Sequence, residues 1–416
     1  MSCTGAIPTP PRRARRAPAV DARGVSLSSG EPEVVELYER ALRQFHSYVG
    51  DPIATIDEAL RRDPRFVAGH LLRAAVLSTA GERRFTERAR PSVADAEALI
   101  DGANDRERGL AAAIRALVDG EWESACMAFD RVLVEHPRDA LAIQTAHLVD
   151  FFRGDALNLR NRISRVLPHW TPSVPGCSYV LGMHAFGLEE CNQYREAEET
   201  GRRALDMEPK DAWAVHAIAH VMEMQGRIDE GIAWLESREP DWAPGNGFAF
   251  HNYWHLALYQ LDRGCADEAL AIFDRRLHAE PPHGLLQLLD ATALLWRLHL
   301  GGVDVAERAS AVAENWSERL DVERGFYAFN DAHAMMAFVM AGHDGRVCQL
   351  LRDLQWSAEH AVGANRMMVG EVGIPVCRAL RAFGHGDYAE AIDLLAGVRD
   401  RACRFGGSHA QRERSP

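Results

Sequence analysis

Apolar residues in this chain recur at helical spacing and nowhere fall into the two-residue alternation of a strand. Trp122, Phe129 and Leu133 form one such apolar stripe. Three segments share a ruler: Gly120, Asn192 and Gly264 each precede a proline by the same interval, at Pro137, Pro209 and Pro281. A small residue, Ala125, Ala197 or Ala269, sits at the same place after each turn residue. Gly or Asn lets the chain leave a first helix, Ala lets a second helix pack closely against it, and Pro ends the unit.

The period is about 34 residues, that of a tetratricopeptide-type helix-turn-helix. Extending the ruler places turns at Gly50, Gly81, Gly120, Gly154, Asn192, Gly226, Gly264, Gly301, Gly342 and Gly386. The expected fold is all-α, a right-handed α-solenoid of at least eight antiparallel helix pairs, because a single pair cannot cover its own apolar face. The Asp51-Pro52 start and Pro64 bound the first unit. Proline-bearing loops at Pro168, Pro172 and Pro175 and at 239–247 interrupt regular repeats, and such loops commonly fall on a rim or the concave face. The domain plan is a disordered arm over residues 1–30, a solenoid over 31–405 and a tail over 406–416.

Composition narrows the setting. The chain is 47% hydrophobic and 26% charged, with a formal net charge of −13 and a single lysine, Lys210. An acidic solenoid is a poor match for phosphate backbones, so no nucleic acid is expected as partner. The basic stretch at 11–16 lacks a following apolar segment, which argues against a secretory signal or membrane anchor. Eight cysteines without a Cys-x-x-Cys pair read as reduced thiols in a cytoplasm.

Counting back from each turn locates the inward-facing positions of the first helices. His216, His220 and Glu223 fall on that stripe, His251 and Trp254 fall on it in the next repeat, and Glu189 on it in the preceding one. These residues are expected to share one cavity. The His-x-x-x-His spacing occurs at 216/220 and again at 251/255, and it sets two imidazoles one helical turn apart, as a metal requires of two ligands. The intervening residues carry no general base. Three readings therefore stand: a hydrogen-bonded cluster for a polar ligand, a metal site, or plain structural histidines. His255, His147, His184 and His333 occupy packing positions and are expected in the core, although Asn330 and Asp331 gather polar groups beside His333. Asp290 either caps a helix or joins the site. No nucleophile is paired with a histidine and a carboxylate, and the sequence names no cofactor.

The segments at 216–227 and 251–255, Asp290 before its apolar run, 329–336, 372–375 and 406–412, together with 21–24 and Gly50-Asp51-Pro52, resemble the tetratricopeptide repeat protein 38 family over nearly the whole chain. The resemblance implies an α-solenoid and no particular chemistry. Its marked residues are polar or aromatic, which suggests a site beyond the packing code of repeats. The expected function is binding of a protein or peptide partner, of a small polar ligand, or of the chain's own tail in a His-lined concave groove. The alternative is an enzyme, metal-assisted or not, that uses the His/Glu cluster for acid-base chemistry. His409, Gln411 and Arg412 are expected to fold back onto that groove, with Asp290 and Asp331 as their carboxylate partners.

Overall fold

The computed structural model describes residues 19–412 apart from 281 and 283, so Pro281 and the chain beyond Arg412 lie outside the described residues. The described residues form an all-α solenoid of ten helix pairs. The first helices of the pairs are Pro32–Ser47, Val67–Ser78, Asp105–Val118, Ala140–Phe152, Cys177–Glu189, Ala212–Met224, Ala249–Asp262, Leu285–Leu300, Ala328–Met340 and Ile374–Gly384. Each is followed by a second helix that packs antiparallel on it, as Tyr194–Met207 does on Cys177–Glu189.

Local chemistry sets the ends of these helices. Asp139, Asp155 and Asp211 accept backbone N–H bonds as N-caps, and Asn104 with Glu107 makes a reciprocal capping box. Nine of the ten expected turn residues have positive φ, Asn192 among them at 59°. The exception is the turn expected at Gly301. There the positive φ belongs to Gly302, whose N–H reaches His299 O while Val303 N–H reaches Leu298 O. Gly226 and Arg227 bond in the same pattern, so the eighth turn sits one residue later than the ruler placed it.

First and second helices differ in burial. Every residue from Ala212 to Met222 is buried, whereas Tyr194–Met207 buries only Ala197, Thr200, Gly201, Ala204 and Leu205. Ala212–Met224 therefore faces neighbours all round, whereas Tyr194–Met207, like the first helix Pro32–Ser47 at the end of the array, presents one face to solvent.

The N-terminal boundary needs correction. Residues 19–30 are not a disordered arm: strands β1 (Ala19–Val20) and β2 (Ser26–Leu27) pair antiparallel, and Leu27 is fully buried. Asp21 holds this turn, accepting from Arg23 N and Val25 N and pairing with the Arg23 guanidinium, which also reaches Glu39. Residues 1–18 lie outside the described residues.

The array also does not stay open around a groove. Gly247 N–H bonds Tyr48 O, and Glu82 accepts from Leu285 N. Glu323 accepts from the N–H groups of Arg83 and Arg84, and Asn330 donates to Gly81 O. Early repeats thus meet late ones and close the superhelix on itself. Residues 406–412 run into the enclosed space, where Ser408, Ala410 and Gln411 are each 1% exposed. A Cβ on Gly406 would fall 1.8 Å from the Tyr327 hydroxyl and 2.7 Å from Phe152 O, so only glycine admits the tail here.

Candidate functional site

Four first helices bring the polar residues together: α1 (Cys177–Glu189), α2 (Ala212–Met224), α3 (Ala249–Asp262) and α4 (Leu285–Leu300); the next, α5 (Ala328–Met340), carries Asp331 and His333. One turn of α2 separates His216 from His220, and one turn of α3 separates His251 from His255. Because α2 and α3 are neighbours in the array, the two pairs meet. Ring centroids lie 4.4 Å apart for His216 and His220, 4.8 Å for His216 and His251, 4.5 Å for His220 and His255, and 4.9 Å for His251 and His255. None of the four rings belongs to a residue more than 4% exposed.

Three of the imidazoles are backed by carboxylates at Nδ1. His251 Nδ1 is 2.7 Å from Asp290 on α4, His255 Nδ1 is 2.8 Å from Glu223 on α2, and His220 Nδ1 is 3.4 Å from Glu189 on α1. His216 has no such partner, and its Nε2 faces His251 Nε2 at 3.1 Å. The Nε2 atoms of His220 and His255 are buried without a hydrogen-bond partner, as is His216 Nδ1. Trp254 stacks on His251 at 5.3 Å, and the Arg297 guanidinium lies over its ring.

Electrostatics follow from burial and these pairs. Burial, then the neighbouring imidazoles, pushes His216 well below the ordinary histidine range. His255 is lowered in the same way, with Arg297 adding to the effect. Burial also opposes charge on His220, but Glu189 beside it outweighs burial and raises its pKa. Burial raises Asp290 against the opposing pull of His251, and raises Glu190, which also sits beside Glu189. The cluster can thus hold a positive charge at its centre with carboxylates outside it.

The tail completes the shell. Arg297 donates to Ala410 O at 2.6 Å, His409 N–H donates to Glu190 at 2.9 Å, and Arg412 reaches Glu190 at 3.5 Å. Gln411 lies near enough to Asp290 to lower its pKa against burial, and the His409 ring lies 3.9 Å from Glu189. Of the two carboxylates expected for the tail, Asp290 has Gln411 as a neighbour. Asp331 takes none of it, because both its oxygens accept from Gly325 N–H at 3.0 and 3.2 Å. His333 is not in the cluster either; its Nδ1 turns back to Phe329 O within α5.

His216, His220, Glu223, His251, Trp254, Glu189, Asp290, His409, Gln411 and Arg412 are therefore neighbours in one region, and Asp331 and His333 stand apart from it. Sequence reasoning left out His255, Glu190 and Arg297. His255 lies in the core as expected, and there its ring meets Glu223 and His220 of α2. The repeated His-x-x-x-His spacing was the signal that could have kept it.

A cavity of about 300 Å³ adjoins the cluster. Phe45, Leu148, Trp213, Phe248 and Leu289 give it a mostly apolar wall, and His216, His251 and Gln411 also contribute to it.

No protein-family model matches the chain. Solved structures similar to it include yeast Tom70, at 12% identity over 87% of this chain and 90% of that one, with a TM-score of 0.39. The TPR domain of P58(IPK) matches at 15% identity over 91% and 97%, with a TM-score of 0.23. A human IFIT1 dimer with PPP-AAAA matches at 13% identity over 92% and 96%, with a TM-score of 0.32. The repeat architecture rests on the helix order and turns described above. No helix among the described residues is long and apolar enough to cross a membrane.

Proposed function

We infer that this chain belongs to the tetratricopeptide repeat protein 38 family and is a helical-repeat binding protein, whose closed centre takes a small molecule with an apolar body and a polar group. The segments that carry the resemblance support the family reading, because 216–227, 251–255, Asp290 and 406–412 converge on one region although they are far apart in sequence. The observation that carries the binding reading is the cavity, whose apolar wall is interrupted by the imidazoles of His216 and His251 and by Gln411. Ligand sites commonly have this make-up: apolar area for affinity and a few fixed polar groups for orientation. A peptide laid along the inner face would meet residues 406–412, which supports a small ligand over a peptide partner.

The test uses 1-anilinonaphthalene-8-sulfonate, which has an apolar body and an anionic group, with tag-free wild-type protein and a Leu148→Trp variant that fills the cavity. Wild type is expected to bind the probe at one per chain. The variant is expected to bind at least about tenfold more weakly, while losing about 1–3 kcal/mol of stability from overpacking. Absence of probe binding to wild type, or equal binding to both proteins, would overturn the reading. Extraction of purified protein followed by mass spectrometry then identifies any resident molecule.

A further inference from the structure

We propose that His216, His220, His251 and His255 bind one divalent transition-metal ion through their Nε2 atoms. One ring nitrogen from each of the four lies within 4.8 Å of those of the others. A tetrahedral ion with metal–nitrogen bonds of about 2.0–2.1 Å needs ligand atoms about 3.3 Å apart. The His216–His251 Nε2 separation of 3.1 Å already meets this, and the other ligand atoms, within 4.8 Å of one another, would draw together around the ion.

The chemistry of the outer atoms points the same way. A histidine that donates Nδ1–H to a carboxylate presents a bare, basic Nε2 on its other side, the usual arrangement behind a metal-bound imidazole. Asp290 and Glu223 impose it on His251 and His255, and Glu189, 3.4 Å from His220 Nδ1, favours it there. Three inward lone pairs then face one another on residues that are at most 4% exposed. His216 Nε2–H can answer only one of them, that of His251. The Nε2 atoms of His220 and His255, on residues that are 0% exposed, have no hydrogen-bond partner. A cation at the centre satisfies all four nitrogens together.

The competing occupant is a proton held on His220 by Glu189, but one N–H directed inward serves a single acceptor. Four nitrogen donors without thiolate or ligating oxygen select a borderline ion such as Zn²⁺, Fe²⁺ or Cu²⁺ over Mg²⁺ or Ca²⁺. His216 and His251 also wall the cavity, so a molecule bound there would lie beside the ion. The metal site itself does not depend on what the cavity holds.

The experiment is elemental analysis of tag-free, full-length protein, followed by chelation and titration with Co²⁺ and Zn²⁺. About one late first-row ion per chain is expected as purified. Co²⁺ should bind at one per chain with the intense visible bands of a tetrahedral centre, Zn²⁺ should displace it, and Mg²⁺ should not compete. The double variant His220→Ala/His255→Ala should lose at least about 100-fold in Co²⁺ affinity, while His333→Ala should lose none. If the double variant does not fold, X-ray absorption at the metal edge of the wild type decides instead, with four nitrogen neighbours at about 2.0 Å expected. Micromolar Co²⁺ failing to bind wild type, binding that persists in a folded double variant, or a first shell dominated by oxygen would each overturn the proposal.

Discussion

Helices α2 and α3 on one side, and α5 on the other, begin from the same ingredients: buried first helices carrying histidine with an acid nearby. In α5, Asp331 accepts from Gly325 N–H, His333 turns to Phe329 O, and Asn330 donates to Gly81 O, so the polar groups are tied to backbone. Asp331 thereby fixes the turn before α5, and Asn330 helps to close the ring of repeats. In α2 and α3 the imidazoles face each other and take side-chain carboxylates from three different helices. Burial of a histidine is thus a weak indicator of function. What separates the two regions is where the ring nitrogens lead: to backbone in one, to a shared centre in the other.

The largest effect is expected from removing the tail that borders both regions. Truncation after Phe405 takes the carbonyl partners Ala410 and Gln411 from buried Arg297, and the His409 N–H and Arg412 from buried Glu190. Breaking buried charged pairs costs about 3–5 kcal/mol, and calorimetry should show the corresponding fall in Tm. An unchanged Tm would mean that the tail contributes nothing to the closed fold.

Asp331 gives the next effect, and it should belong to the α5 region alone. Burial raises its pKa from 3.8 to about 7, against the opposing Gly325 N–H bonds. An acid whose folded pKa is raised binds its proton more tightly when folded, so its contribution to stability falls as pH rises from about 4 to 7. Asp331→Asn keeps an acceptor for Gly325 and removes that titration. Its advantage over wild type in urea unfolding should therefore grow by about 2–3 kcal/mol between pH 5 and pH 8. A difference that stays flat with pH would show that Asp331 is ionised in the folded protein throughout.

Asp290→Asn probes the other region. It leaves all four imidazoles in place but weakens the acceptor for His251 Nδ1–H. Loss of such a partner lowers metal affinity by about 10–100-fold, readable by competition with a chromophoric chelator. If affinity is unchanged, Asp290 does not support His251 as a ligand.

The smallest effect sharpens the contrast. His333→Leu should change stability by about 1 kcal/mol or less, because Phe329 O is already a helix acceptor and His333 Nε2 is buried without a partner. A change of several kcal/mol would mean that His333 has a role beyond filling space.

The sequence by itself determined the repeat architecture. A turn that needs positive φ admits few residues, and Gly or Asn at a regular interval exposes each one, as Gly120 and Asn192 do here. The shift from Gly301 to Gly302 is the limit of that signal, since two adjacent glycines can each make the turn. Helical period also placed His216 and His220 on the inward stripe of α2 and His251 on that of α3, because each placement is local to its helix. Tertiary structure decided the remainder. His255 lies in the core as its register position predicts, but its ring beside His220 and His251 does not follow from one buried face per helix, because a first helix enclosed by neighbours has several. Residues 19–30 look like a loose arm in composition, yet Asp21 can organise a hairpin there once Glu39 is available to Arg23. Closure of the array and the path of residues 406–412 into its centre depend on contacts between distant positions, such as Glu82 with Leu285 and Arg297 with Ala410. Such pairings leave no periodic trace along a chain. Their partners are chosen by the curvature accumulated over many repeats, a property that no single repeat contains.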